Sequence, residues 1–343
     1  MERSDTMWRK RYCCLLLTAY LLGIGIGGCD KQKGRMAWRF EPRGSYSQRV
    51  SLTTKLHILF PDMINDKAEM VLHYQVREVD PEGMATIEVT IGSIKASMKS
   101  MTIRCSYDSE KTDQQQPAET TIPTPTGKQA MRQKKYNMSL AGLKGSKYHA
   151  RVDTRGRVLE LFDIDPTIKK AMAGPVINKD FGGCQKALLL CKTNLRDYVG
   201  IAMLDGLDDE LPDPNHSWTS CGPVQVFRSA PVMASKTYTL KDVENRNGHP
   251  VATVSFKTSS AMDNALPEYA RATGTKRFDM EILRIRGGRG EVTFRLDQGR
   301  LLRYHEIITA EMGLSNRKNP EKKKKKRGKR TFCIMEKTVE FIE

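Results

Sequence analysis

The chain of 343 residues lacks the short motifs that announce a reaction. It contains no HExxH, no GxSxG elbow and no GxxxxGK[ST] loop, so zinc hydrolase, serine hydrolase and P-loop chemistry have no support in the sequence. Its six histidines, at 57, 73, 149, 216, 249 and 305, form no spaced cluster with cysteine, and a zinc site needs such a set. No CxxC pair occurs among the eight cysteines, which argues against a redox enzyme. The sequence thus offers no catalytic residue, no metal ligand set and no cofactor site. Two weaker acidic groupings remain. Asp163 and Asp165 flank Ile164 and read as a polar strand end, with a paired-carboxylate site as the alternative. Asp205, Asp208, Asp209 and Glu210 read as a solvated helix end, with a cation site as the alternative.

The apolar run near the N-terminus is short for a membrane-spanning helix, with an uncleaved signal anchor as the alternative to a cleaved signal. Residues 13–28, CCLLLTAYLLGIGIGG, are uncharged and come after Arg9, Lys10 and Arg11. Sixteen residues make about 24 Å of helix, short of the roughly 30 Å hydrocarbon core. The glycines at 23, 25, 27 and 28 weaken a span further. A basic start, a short apolar core and small residues predict an export signal over 1–28. Ile26-Gly27-Gly28-Cys29 then resembles the lipobox of bacterial lipoproteins. That resemblance implies cleavage before Cys29 and lipidation of its thiol, and two or three acyl chains anchor stably where one does not. The expected location is the bacterial cell envelope, facing the periplasm or the exterior. After export, five cysteines remain besides Cys29: 105, 184, 191, 221 and 333. An odd number leaves at least one outside any disulfide within the chain, and packing thiols are the simplest reading.

Charge is plentiful but uneven. The net charge is +17, and residues 317–330 hold ten Lys and Arg against one Glu. The rest of the chain is only modestly basic, so a whole-surface nucleic-acid footprint is not implied. The run Lys322, Lys323, Lys324, Lys325, Lys326, Arg327, Lys329 and Arg330 carries no aromatic platform for base stacking. In an exported protein it is a hairpin loop that contacts anionic lipid or an acidic envelope polymer, or a solvated loop with no partner. A nucleic-acid partner is not expected, and no protein partner is specified.

The body shows internal similarity. Tyr74-Gln75-Val76-Arg77-Glu78-Val79 reappears as Tyr238-Thr239-Leu240-Lys241-Asp242-Val243, and 85–89 as 252–256. Residues 136–140 match 278–282, and Arg151-Val152-Asp153 with 156–159 match Arg295-Leu296-Asp297 with 299–302. Four blocks in the same order predict a duplicated module. Each block reads as strand: Met70, Leu72, Tyr74 and Val76 alternate with polar or exposed positions, a period of two. Asp80-Pro81-Glu82-Gly83 is a hairpin turn, Asn245 to Gly248 a longer loop for the same task, and Gln298-Gly299 a tight one. Residues 181–203 place Leu188, Cys191, Leu195, Val199 and Met203 at helical spacing, an amphipathic helix between the modules. Residues 110–134 read as a loop.

The fold expected is α+β, mainly antiparallel β: two repeated β-hairpin/sheet modules joined by an amphipathic helix. Its divisions are a signal peptide over 1–28, a tether or incoming strand over 29–45, module 1 over 46–165, a helical connector over 166–210, and module 2 over 211–343 with its basic loop at 317–330. Several segments resemble a family of bacterial exported lipoproteins of unknown function: Ala37-Trp38-Arg39-Phe40 with Gly44 and Tyr46, the Val79 to Ala85 hairpin around Gly83, Tyr107-Asp108-Ser109, and Leu211-Pro212 before Ser217-Trp218. The resemblance implies location and β-rich character, and no active-site residues. The leading expectation is a membrane-anchored, non-enzymatic binding or scaffold module. The alternatives are a carrier of lipid or another apolar ligand in a sheet–helix cavity, and an envelope hydrolase.

Overall fold

A computed structural model describes residues 36–57, 64–100, 104–111, 127–173, 190–205, 207, 211–224, 226, 232–261, 280–314 and 330–342. The unit from Met36 to Glu343 is built on one twelve-stranded sheet whose pairings are all antiparallel. The strands are β1 (Ser45–His57), β2 (Ile64–Val79), β3 (Ala85–Ser100), β4 (Arg104–Asp108), β5 (Lys147–Val152), β6 (Val158–Phe162), β7 (Ser217–Val224), β8 (Val232–Arg246), β9 (His249–Ser260), β10 (Met280–Arg295), β11 (Arg300–Leu314) and β12 (Arg330–Ile342). Their order across the sheet is β6-β5-β3-β2-β1-β12-β11-β10-β9-β8-β7, with β4 on the edge of β3. Among the described residues three helices accompany it: α1 (Gly127–Ala141), α2 (Pro166–Ala173) and α3 (Lys192–Val199), with a 3-10 turn at Ala202–Leu204. Among the described residues no helix is long and apolar enough to cross a membrane.

Alternation builds the sheet. In β2 the residues Ala68, Met70, Leu72, Tyr74 and Val76 are buried and their neighbours are not, which is what one covered face requires. One row of neighbours on that face crosses ten strands: Trp218, Tyr238, Phe256, Gly290, Glu306, Lys337, Leu52, Ala68, Ala96 and Tyr107. All except Gly290 are buried. The first and last strands meet in the middle, where β1 and β12 pair over eleven residues, so neither is an outer edge. On the far side of β4, Gln133 of α1 exchanges hydrogen bonds with the backbone of Ser106 (Nε2 to O 2.6 Å; N to Oε1 3.2 Å). A side-chain amide thus takes the place of a further strand on an open edge.

Two of the four similar blocks occupy matching registers. Tyr74 pairs with Val89, Val76 with Ile87, and Val79 with Ala85. Tyr238 likewise pairs with Phe256, Leu240 with Val254, and Val243 with Ala252. A register shift falls at the same place in each pair, between Val76 and Glu78 and between Leu240 and Asp242. A bulge re-aims a strand, so the two hairpins are bent alike. The fourth block is displaced: Val152 stands opposite Ala85, whereas the residue opposite Ala252 is Phe294, not Leu296.

Several expectations are corrected. Residues 136–140 are helix, not strand, and their match at Met280 to Ile282 lies on β10. Tyr136, Met138 and Leu140 imitate a two-residue period. The buried set is Tyr136, Leu140 and Leu143, at helical spacing, and Met138 faces out. The expected loop over 110–134 therefore contains the first half of α1, while 112–126 lie outside the described residues. The Asn245 to Gly248 turn is not longer than its counterpart. β8 and β9 continue to Arg246 and His249, leaving Asn247 and Gly248 with φ of 54° and 83°, a two-residue turn of the primed type.

The amphipathic helix expected over 181–203 is also different. Residues 174–189, which include Leu188, lie outside the described residues. Cys191 is an extended N-cap, α3 has eight residues, and Gly200 returns to extended backbone at φ −153° and ψ 140°. The stripe from Cys191 to Met203 is therefore a cap, a short helix and a 3-10 turn. Close approach explains the break: a Cβ on Gly200 would sit 2.4 Å from the Gly156 carbonyl oxygen in the β5–β6 turn.

Candidate functional site

Short helical segments lie over the buried face of the sheet, and aromatic side chains hold them there. The Tyr74 hydroxyl donates to the Tyr198 carbonyl at 2.8 Å, the Tyr148 hydroxyl to the Leu195 carbonyl at 3.4 Å, and the Trp218 indole to the Met203 carbonyl at 2.6 Å. The Tyr198 and Met203 carbonyls lie at helix ends, where the helix's own ladder leaves acceptors open. Each polar tip therefore satisfies the helix while its ring fills the core. Burial pushes the Tyr74 and Tyr148 hydroxyls far above the ordinary phenol range, so both stay protonated donors.

Beside this cover lies a cavity of about 220 Å³. Its wall comes from the β5–β6 turn (Gly156, Arg157, Val158), α3 and the stretch C-terminal to it (Thr193, Arg196, Asp197, Gly200, Ile201, Asp205), edge strand β7 (Ser220 to Val224), and the sheet face at Lys236, Tyr238, Tyr304 and Lys337. Where the β2–β3 hairpin has Tyr148 opposite Val89, the β8–β9 hairpin has Gly290 opposite Phe256. A Cβ on Gly290 would lie 2.2 Å from the Phe256 ring, so the ring occupies the space that the glycine leaves. The large side chain has changed strands between the two hairpins.

Charges are buried at the sheet side of the cavity. The Lys236 ammonium donates to Glu306 Oε2 at 3.0 Å and to the Tyr304 hydroxyl at 2.8 Å. It lies 5.3 Å and 5.4 Å from the ring centres of Phe256 and Tyr304. Glu306 also accepts from the Tyr304 hydroxyl at 2.6 Å and the Thr258 hydroxyl at 2.9 Å. Burial alone would raise this carboxyl. Lys236, the Tyr304 hydroxyl and nearby Lys337 outweigh it and hold the group below its ordinary value, so it is an anion inside the sheet. Next to it in the row, Lys337 has a side chain only 3% exposed. Its ammonium donates to Asp197 of α3 at 2.7 Å and stands 5.4 Å from the Tyr198 ring centre. On the opposite wall Arg157 reaches Asp153 at 2.6 Å and Asp205 at 3.5 Å.

The residues singled out in the sequence are not gathered here. Cys29 and the run from Lys322 to Lys329 lie outside the described residues. Arg330, placed in the loop by sequence, is the first residue of β12 and stands opposite Gly313. Asp165 caps α2, accepting from the Thr167 backbone at 2.7 Å, a standard use of Asp before Pro at a helix start. Asp163 has a positive φ of 45° and is largely exposed. Asp205 joins the cavity wall, and Asp208 to Glu210 lie outside the described residues. The histidines are dispersed: His73 bonds Ser47, His249 bonds Asp297 and His305 meets Glu336. Among the described residues no group of His, Cys, Asp or Glu could hold a metal ion, and no disulfide joins Cys105, Cys191, Cys221 or Cys333.

Sequence reading missed Lys236, Glu306 and Lys337. The signal was parity. On β12, Cys333, Met335 and Val339 point inward and so does Lys337; on β11, Tyr304, Ile308 and Ala310 do and so does Glu306. A charge at an inward position of an apolar strand marks a site or a buried pair.

No protein-family profile matches the chain, and no curated protein does. Among solved structures, one of lipid–protein interactions in lipovitellin overlaps 89% of this chain and 26% of its own, with 8% identity and a TM-score of 0.44. The chain thus spans about a quarter of that protein's length. A second, of DynF from the dynemicin biosynthesis pathway of Micromonospora chersina, overlaps 89% and 84%, with 5% identity and a TM-score of 0.22. Neither superposition is close, and the functional reading rests on this chain's own geometry.

Proposed function

We propose that the chain is a membrane-anchored carrier or binding module of the bacterial cell envelope, and that its cavity takes an apolar or amphipathic ligand. Residues 1–28 export it and lipid on Cys29 holds it at the membrane. The observation that carries the binding reading is the cavity itself, with Tyr238, Tyr304, Val158, Ile201 and Val224 on its wall beside a few fixed charges. An apolar wall with a small number of placed polar groups is the usual make-up of a ligand site. At about 220 Å³ the space is smaller than the ~300–1,000 Å³ typical of drug-sized ligands. It suits a headgroup or a short chain, with the remainder of the ligand outside.

The shared bulge and register of the two hairpins support a duplicated module, 46–165 and 211–343. The basic run at 322–330 fits a role at an anionic surface, where each Lys or Arg contributes about 1 kcal/mol. Two measurements on protein from native membranes test the reading. Intact mass should show loss of residues 1–28 and a gain fitting acyl chains, and Cys29→Ser should leave the detergent phase. Solvent extraction of the gel-filtered protein should release a stoichiometric apolar compound. An unprocessed, unlipidated chain would remove the anchor, and an empty extract together with no uptake of added amphiphile would remove the carrier.

A further inference from the structure

The four cations on the cavity wall differ in what they still have to offer. Lys236 is fully engaged by Glu306 and Tyr304. Arg157 is held by Asp153 and Asp205. Arg196 gives one nitrogen to the Leu159 carbonyl at 3.2 Å. Lys337 is the deepest, and among the described residues Asp197 is its single hydrogen-bond acceptor. An ammonium has three donors, so two remain beside the open space. The oxygens of Glu306 are taken by Lys236, Tyr304 and Thr258 and do not use them.

A lone buried charge is costly unless paired. Asp197 supplies the counter-charge from a different position: its side chain is 40% exposed on a helix of eight residues. The helix backbone is fixed on either side by the Tyr74 and Tyr148 hydroxyls, so Asp197 can turn to solvent while α3 stays in place. Its carboxylate occupies the position that another oxyanion entering the cavity would take.

We propose that Lys337 is the anchor for the oxyanion head of an amphiphile, and that Asp197 is an internal stand-in for that head in the empty protein. This rests on the carrier reading and adds the class of ligand: a carboxylate or phosphate head on an apolar chain. Tyr238 sits on the same wall, and burial keeps its hydroxyl protonated, so it can donate a second bond to the head. The ligand displaces Asp197, which moves to water, and the buried ammonium keeps one negative partner throughout.

The test is calorimetric titration of the full-length protein with decanoate, decyl phosphate and decanol, each below its aggregation limit. The two anions distinguish a carboxylate source from a phosphate source, and the alcohol reports the apolar contribution alone. The proposal expects Lys337→Met to weaken anion binding by about tenfold or more, the scale of a lost charge-assisted hydrogen bond. It expects Asp197→Asn to strengthen anion binding, because the competitor has lost its charge. Decanol should bind both variants as it binds the parent. The opposite signs guard against a folding artefact, since a damaged protein loses affinity for all three probes. If anion and alcohol bind equally and neither substitution discriminates, the Lys337 assignment is overturned and the carrier reading stands. If none of the three binds the parent protein, both fall.

Discussion

Replacing Glu306 with leucine should destabilise the sheet out of proportion to the volume changed. The carboxylate side chain is 3% exposed and its ammonium partner on Lys236 is 16% exposed. Glu306→Leu strands that ammonium between two aromatic rings and removes the acceptor of the Thr258 hydroxyl. Breaking a buried pair from one side costs about 3–5 kcal/mol. Lys236→Met removes the carboxylate's direct ion-pair partner, leaving the Tyr304 and Thr258 hydroxyls and the more distant Lys337, and should cost about 3 kcal/mol, the lower end of the same range. The double variant buries two apolar chains of similar size and strands only hydroxyls, so it should lie within about 1–3 kcal/mol of the parent. Urea unfolding of the four proteins, followed by far-ultraviolet circular dichroism, gives the cycle. A coupling of about 2–3 kcal/mol or more is expected for groups in one network. Losses that add to within about 0.5 kcal/mol would refute the claim that these residues act as one buried unit.

The same geometry makes further outcomes testable. Glu306 titrates below its ordinary value of 4.5 in the folded chain; its stabilisation is complete above that value and is lost as pH falls toward the folded pKa. Denaturation between neutral and acid pH should thus steepen below about 4.5 in the parent and be flatter in Glu306→Gln. Gly290→Val should destabilise by about 1–3 kcal/mol or more through contact with the Phe256 ring and the His305 carbonyl, and Phe256→Ala in the same chain should recover part of the loss in a thermal melt. Trp218→Phe removes the donor to the Met203 carbonyl; amide exchange over 200–205 should quicken, with a stability loss of about 1–3 kcal/mol.

The strands were largely legible because their physics is local. A period of two along β2 and β3, with Pro81 and Gly83 between them, specifies a half-buried hairpin without any distant partner. The similar hairpin at β8 and β9 was legible for the same reason, although its bulge and the two-residue length of its turn were not. Helix α1 was not, since Tyr136, Met138 and Leu140 satisfy two periods at once and only tertiary burial chooses between them. The connector failed for another cause: nothing local in Gly200 states that the Gly156 carbonyl will stand 2.4 Å from where its Cβ would be. The site was the least legible. Lys236, Glu306 and Lys337 are far apart in the chain: Lys236 of β8 reaches Glu306 of β11 across β9 and β10, and β12 pairs with β11 to set Lys337 beside it, pairings that no window of sequence contains. Inward parity marks each of them as unusual, and register alone brings Glu306 and Lys337 side by side.

Native mass spectrometry of the protein released from membranes, beside a Ser220→Trp variant, tests the carrier account most directly. Ser220 stands opposite Lys236 at the cavity wall, so an indole there fills the space and leaves the anchor and the sheet intact. The account predicts a small amphiphile bound one to one in the parent and absent from the variant, with both proteins equally lipidated. The same adduct on both, or on neither when amphiphile is supplied, would contradict it.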